Sequence, residues 1–452
     1  MYVDFLHNKM VCTKYCRILS RTRQLCMIDK RTLELVLTEQ KEELAYKSRL
    51  RFCYRKEEEL VNLDSNQAQV VIGVRRSGKS TLCFNLLQRA GVKYAYVNFD
   101  DERFENMMSD DLNNVLEVLY KIDGEFTHLF MDEVQNVSGW HLFVNRLLRQ
   151  GMKIIITGSN AKLLSSELST HLTGRHATIE LYPFSFLEFC TYKGVDISTL
   201  STRAEGLRRS AFDEYLKQGG FPELLTERHN RRYVSDLVND ILERDIKKRY
   251  KLRYFSVFEN FAHHLLNVAP TIPSPGNLAD EFGIKSIPTL NNYIKHLTTA
   301  YLLLSLCKYS PKSKLRVRDS KLYAVDVAIM NNRVDAFAGE NIGWRLETII
   351  YLELRRRARY NDDDVYYYKK GARAKEVDFV LCKDNKVLRL YQVAYDITNP
   401  KTRKREIDAL VQASRETHCK NLYLITDNER ETVTVEDRTV EIIPAYEWLL
   451  NP

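Results

Sequence analysis

The most specific chemistry in the sequence lies in Gly73-Val74-Arg75-Arg76-Ser77-Gly78-Lys79-Ser80-Thr81. Glycines at both ends let the backbone curl around a pyrophosphate. The loop amides and the positive end of the following helix face anionic oxygens, and Lys79 adds a full charge. Ser80 is placed to hold Mg²⁺, while Arg75, Arg76, Ser77, Gly78 and Thr81 complete the expected nucleotide-binding set. The loop stands between a mostly apolar run, Ala68 to Ile72, and a helix-like stretch, Leu82 to Arg89. That setting is what a phosphate-binding loop requires, so ATP with Mg²⁺ is the expected ligand.

The second half of such a site is an apolar strand ending in acid, and Thr127-His128-Leu129-Phe130-Met131-Asp132-Glu133 supplies it. Asp132 would hold the metal through water. Glu133 would orient and deprotonate the water that attacks the γ-phosphate, which points to hydrolysis. The β-branched run Lys153 to Thr157 reads as a buried parallel strand. Ser159 and Asn160 at its tip either sense the γ-phosphate or cap a helix beginning near Lys162. A further strand, Lys93 to Phe99, leads into Asp100-Asp101-Glu102-Arg103, which is either adjacent to Mg²⁺ or an exposed turn. The fold class expected is α/β, a P-loop NTPase with a parallel sheet.

Together with Leu172-Thr173-Gly174-Arg175, Pro183-Phe184-Ser185-Phe186-Leu187-Glu188-Phe189 and Gly219-Gly220-Phe221-Pro222-Glu223, these residues resemble AAA-type ATPases of the prokaryotic branch related to archaeal and STAND ATPases. The likeness runs from about Leu33 to the carboxyl end. It implies that Arg175 is a γ-phosphate arginine, and that the chain oligomerises if that arginine acts in trans.

From Arg203 to Lys251 the three-to-four spacing of Leu, Ile and Val predicts a helical lid, interrupted by the turn at Gly219-Gly220. Asp240 to Tyr250, with Glu243, Arg244 and Asp245, reads as a solvated paired-charge helix. Asn277 to Ile284 followed by Ile287 to Ile294 has the layout of helix, glycine turn and second helix, with a wing carrying Lys308, Lys312, Lys314, Arg316, Arg318 and Lys321. In a DNA-binding module of that kind Asn291, Asn292 and Lys295 would face the groove. A plain packing or protein-binding module fits the same pattern.

Trp344 to Arg357 is an amphipathic helix carrying Glu347, and short strands follow at Tyr366 to Lys369, Glu376 to Leu381 and Leu388 to Val393. With Asp378 and Gln392 they resemble the core of PD-(D/E)XK nucleases, in which acids hold Mg²⁺ and a lysine activates water. Here the acid-x-lysine position reads Gln392-Val393-Ala394, so one metal-binding charge and the lysine are lost. Lys404 or Arg405 could reach in from the next helix as a compensating cation. Arg355, Arg356, Arg357, Arg359, Lys369, Lys370, Arg373 and Lys401 to Arg405 either offer charge that phosphate would attract or form a solvated basic rim.

The formal charge of +8 in 452 residues fits a mild preference for polyanions, and no apolar run approaches the length a bilayer needs. Met1 to Arg23 lacks the layout of a secretion signal, so a cytoplasmic location is expected. The nine cysteines show no metal-like rhythm apart from Cys12 and Cys16, to which Cys26 and His7 could add zinc ligands. The organisation expected is an N-terminal helical extension (1–61), an AAA-type ATPase core (62–189), a helical lid (190–255), a winged-helix-like segment (256–325) and a nuclease-like α/β domain (326–452). The expected function is ATP binding and hydrolysis, acting on or regulated by DNA. The alternative is a STAND-like switch or a protein-remodelling ATPase with a catalytically dead, nuclease-like docking domain. Expected partners are ATP, DNA, further copies of the chain and a protein not identified by sequence, without a membrane.

Overall fold

The computed structural model describes residues 28–47, 52–105, 107–159, 172, 174–226, 230–310, 320–331, 333, 336, 341–371, 375–384 and 386–451. Asn160, Thr173, Arg373, the basic run Lys312 to Arg318 and the zinc reading of His7, Cys12, Cys16 and Cys26 lie outside the described residues. Cys53, Cys83, Cys190, Cys307, Cys382 and Cys419 are free thiols.

Short apolar runs form the first sheet, because a strand covered on both faces buries every side chain. β1 (Ala68–Ile72) and β3 (His128–Asp132) are buried at all five positions. With β2 (Tyr94–Asn98), β4 (Lys153–Gly158) and β5 (His176–Glu180) they pair in parallel in the order β2-β3-β4-β1-β5. β4 thus stands between the strand that feeds the phosphate loop and the strand that ends in the acid pair. Helix α1 (Lys30–Lys47) packs on one face through Leu33, Val36 and Leu37. α2 (Lys79–Ala90) starts directly at the loop, while α3 (Leu112–Asp123) and α4 (Trp140–Arg149) complete the layers.

The lid follows as α5 (Phe186–Lys193), α6 (Thr202–Gln218) and α7 (Asn230–Asp240), the last running into a π-helical stretch, Ile241–Lys247. Ser185 caps α5 in a reciprocal box with Glu188. Between α6 and α7 the Gly219-Gly220 turn is a close approach of three segments. A Cβ on Gly219 would lie 2.0 Å from Asp326 Oδ1, and one on Gly220 would lie 2.2 Å from the Phe184 carbonyl oxygen. The Gly220 amide donates to Asp326 at 3.0 Å.

Three helices, α8 (Phe255–Val268), α9 (Pro275–Glu281) and α10 (Ile287–Thr299), precede an antiparallel pair, β6 (Leu303–Cys307) and β7 (Ser320–Ala324). α11 (Val327–Asn331) and the long α12 (Ile342–Asn361) lead to the carboxyl-terminal sheet. Its strands are β8 (Asp364–Tyr368), β9 (Val377–Lys383), β10 (Lys386–Val393), β11 (Leu422–Thr426), β12 (Glu431–Val435) and β13 (Arg438–Pro444). They are ordered β12-β13-β11-β10-β9-β8. β8, β9 and β10 run antiparallel; α13 (Pro400–Thr417) then crosses over so that β11 lies parallel to β10. α14 (Ala445–Leu450) closes the fold.

One buried apolar cluster runs without a break from Leu33 to Leu449. The joint between sheets is strongly polar as well. Glu180 at the end of β5 accepts from Arg355 at 3.0 Å and Arg359 at 2.9 Å, both on α12, and Arg356 donates to the Pro183 carbonyl. Arg357 turns to Glu353 and the Trp448 carbonyl. The expectation that these arginines offer charge to phosphate is therefore corrected: they tie α12 to the first sheet and to α14.

Candidate functional site

The loop expected to bind phosphate is built as one. Gly73 has φ 152°, Arg76 66° and Gly78 94°, so the chain passes through left-handed conformations that turn amides inward. Gly73 is required here, since a Cβ would sit 2.0 Å from the Leu181 carbonyl oxygen. Lys79 is buried and donates to the carbonyls of Gly73 and Val74 at 3.2 and 3.1 Å, with Glu133 3.9 Å away. Burial lowers its pKa, against the upward pull of Glu133 and Asp132. Arg55, which the sequence reading passed over, holds the loop from outside. It donates to the Ser77 carbonyl (3.1 Å), the Tyr182 carbonyl (2.7 Å) and Glu188 (2.7 Å).

The structure brings the acid pair to the loop. Ser80 Oγ donates to Asp132 Oδ1 at 2.9 Å, and Tyr96 donates to Oδ2 at 3.2 Å. Thr157, at the end of β4, donates to the same carboxylate and accepts from the Glu133 amide at 3.1 Å. Glu133 has φ 50°, and its carboxylate accepts from Gln135 and from the Ser159 amide at 3.2 Å. Ser159 thus joins the site through Glu133. Thr157, Tyr96 and Gln135 were given no role in the site from sequence; the Thr at the tip of a β-branched run was the available signal.

The two carboxyls are driven apart electrically. Burial and the charge of Glu133 raise the pKa of Asp132 despite Thr157, Ser80 and Lys79. Burial opposes ionisation of Glu133 too, but Lys79 and Arg75 outweigh it and lower its pKa. Of the two, Glu133 is the carboxyl that its cationic neighbours keep ionised. The residues fit a magnesium nucleotide. Ser80 and Asp132 present adjacent oxygens, and Ser77 Oγ is buried with no hydrogen-bond partner among the described residues.

Of the acidic cluster after β2, Asp100 pairs with Arg75 at 3.2 Å, whereas Asp101 caps its own turn and binds Arg103. Arg76 pairs with Glu223 at 2.9 Å. Arg175 does not join the site. Its carbonyl accepts from Ala68 and it precedes β5, whose register pairs Ala68 with His176 and Ile72 with Glu180. It therefore stands at the far end of β1, roughly 16 Å of strand from the loop, so a γ-phosphate role within one chain is corrected. Asp245, read as a solvated charge, is buried and bonded to Arg75.

At the carboxyl-terminal sheet, Glu347, Glu376 and Asp378 do converge, but around Lys321, so the reading of that lysine as part of a phosphate-tracking wing is corrected: it is buried. Lys321, from β7, reaches Glu347 at 2.7 Å, Glu376 at 2.9 Å and Asp378 at 3.9 Å. Burial opposes its charge, yet the three carboxylates raise its pKa. Tyr323 donates to Glu347 at 2.6 Å. Gln392 accepts from the Asp378 amide at 3.3 Å and donates to Glu406 at 2.8 Å, an arrangement a second carboxylate could not make. The expectation that Lys404 or Arg405 compensates is corrected. Arg405 folds onto the buried Glu406, and Lys404 and Arg405 are both exposed. Lys375 points away, to Asp408.

The phosphate loop, the acid pair and the five-stranded parallel sheet define an AAA-type P-loop protein. An AAA domain family matches residues 65–190, and domains of unknown function, DUF8612 and DUF4143, match residues 209–339 and 343–448. Uncharacterized protein MJ1544 of Methanocaldococcus jannaschii is 34% identical over 406 residues, covering 86% of this chain and 90% of its own. The chain belongs to the family of that protein. An uncharacterized protein of Haemophilus influenzae is 29% identical over 407 residues, 86% of this chain and 95% of its own. Solved structures that match include Aeropyrum pernix ORC1 in complex with DNA (12% identity, TM-score 0.32, 62% of this chain and 92% of that one). AMPPCP-bound DnaA from Aquifex aeolicus also matches (19%, TM-score 0.25, 55% and 89%). Scores this low carry no argument about function.

Proposed function

We propose that the chain is a cytoplasmic, Mg²⁺-dependent ATPase that acts on DNA or is regulated by it. The observation that carries the ATPase reading is Ser80 bonded to Asp132 at 2.9 Å beside Glu133, all against the loop that holds Lys79. Lys79 and the loop amides bind the β- and γ-phosphates, and Ser80 and Asp132 hold Mg²⁺. The metal supplies positive charge to the phosphate oxygens. Glu133, held anionic, orients the attacking water and takes up its proton. Ser159 and Gln135 keep the carboxylate from swinging away. Arg175 serves only if a neighbouring copy brings it to the loop.

The DNA reading is supported by the order of three helices and an antiparallel pair, which is that of a winged helix, and by Asn291, Asn292 and Lys295, exposed on α10. A second reading, a nucleotide-controlled switch or protein-remodelling ATPase with a non-cleaving docking domain, is favoured by Lys321. An ammonium among Glu347, Glu376 and Asp378 takes the space that a metal ion would need. Phosphate release measured with and without duplex DNA, at low and high salt, separates the two. DNA stimulation that fades with salt supports the first, and indifference to DNA the second. Plasmid incubated with Mn²⁺ or Mg²⁺, with Glu347→Ala as control, should stay uncut under the second.

A further inference from the structure

The two neighbouring arginines of the phosphate loop are treated differently by the fold. Arg76 lies open to solvent, its side chain 57% exposed beside a Glu223 that is 41% exposed. Arg75 turns inward and is 17% exposed. Its Nε and Nη2 donate to the two oxygens of Asp245 at 3.2 and 3.1 Å, the fork-to-fork geometry that fixes the direction of a guanidinium as well as its charge. Only Nη1 points elsewhere, to Asp100 at 3.2 Å, whose side chain is 40% exposed. Of the two contacts, the one to Asp100 is the weaker and the more readily exchanged for another anion.

Asp245 belongs to the lid, inside the π-helical stretch Ile241–Lys247, and π-helical turns are rare and frequent at functional positions. Its acidic neighbours behave as a solvated helix should: Asp240 lies near Arg244 and Glu243 binds Lys247, both at i, i+4. Asp245 alone among them is buried. The altered winding thus turns one carboxylate into the nucleotide site. Arg75 stands between Gly73 and Lys79, on the loop that wraps the phosphates.

We propose that Arg75 is the arginine that touches the γ-phosphate within one chain, and that Asp245 is its positioning residue, so that hydrolysis requires the lid to be docked. The proposal rests on the reading of the loop as an ATP site. In the reaction the water oxygen bonds to the γ-phosphorus as the bond to the bridging oxygen breaks. ADP departs with that electron pair, and the water proton passes to Glu133. Charge builds on the γ-phosphate and leaving oxygens, where Nη1 donates once it has left Asp100. Asp245 keeps the other two N–H groups, so the arm is held in place throughout.

The test uses the full chain and five proteins: wild type, Arg75→Ala, Asp245→Asn, the double variant of these two and Asp245→Glu, with ATP hydrolysis and ADP binding measured separately. Arg75→Ala should lower kcat by about 10² to 10³-fold while changing ADP affinity little, because ADP lacks the phosphate that the arginine touches. Asp245→Asn should lower kcat in the wild-type background and have no further effect in Arg75→Ala; Asp245→Glu should recover part of the loss. A lid that merely loses stability would lower kcat equally in both backgrounds, which overturns the positioning role. Loss of ADP binding in Arg75→Ala, or an unchanged kcat, overturns the catalytic role. If the wild type neither binds nor splits ATP, the reading of the loop itself fails, a different result from each of these.

Discussion

At Asp132 and Glu133, neighbouring carboxyls differ in task because their partners differ. Asp132 faces Ser80, Tyr96 and Thr157, whereas Glu133 faces Gln135 and the Ser159 amide. Replacing Glu133 with Gln keeps the shape and removes the base. Turnover should fall by about 10² to 10⁴-fold with ATP binding spared, as read by phosphate release and nucleotide titration. If the variant turns over normally, the water is handled by another group. The pair was legible in sequence because acids at the end of an apolar run sit at the carboxyl edge of a sheet. Their supports were not. Thr157 and Tyr96 come from β4 and β2, and no local pattern says that β4 lies beside β3. Asp245 was read as solvated for the same reason, since its i, i+4 neighbours set the pattern and a π-helical turn broke it.

At the scale of elements, the β6–β7 hairpin is the unexpected part. The sequence boundary at 325 and 326 assigns β7 to the middle of the chain, yet Lys321 on that strand completes the polar centre of the sheet that follows. Lys321→Met should destabilise the protein by about 3 kcal/mol, because three carboxylates lose their buried counter-charge. The sign with pH is fixed. Asp378 already has a pKa well above normal through burial and Glu347, so its neutral form favours the fold and that benefit is lost as pH rises through the raised pKa. The deficit of Lys321→Met should therefore shrink as pH falls, as followed by thermal melts at several pH values; an equal deficit at every pH would mean that packing, not charge, was lost. Strands β1 to β4 could be read as apolar runs. β5 could not, because as an edge strand it buries only Ile179 fully and shows no run. For β8 to β10 the alternation was visible, whereas the crossover that sets β11 parallel to β10 depends on α13 packing across the sheet.

For the molecule as a whole, Glu180 is the ion pair that links the first sheet to α12. Burial opposes its ionisation, but Arg355 and Arg359 hold its carboxyl down at about 2 against an ordinary 4.5. A depressed acid gives stability that is present above its unfolded pKa and lost as pH falls through the folded one. Glu180→Gln should cost about 3 kcal/mol near neutrality by that linkage, with the difference from wild type fading between pH 4.5 and about 2. Denaturant titrations across that range check it, and a constant difference would assign the loss to shape. That joint was not legible in sequence, where Arg355 to Arg359 look like a basic patch and nothing local says that Arg355 and Arg356 turn toward the first sheet.

The shared ammonium of Lys321 has a practical side. Anyone who severs the chain near residue 326 to obtain the tail by itself would leave Glu347, Glu376 and Asp378 crowded together with their neutralising neighbour gone. Such a fragment would gather protons or stray cations to quiet that repulsion. Metal uptake seen in an isolated tail would then describe the cut and not the intact polypeptide.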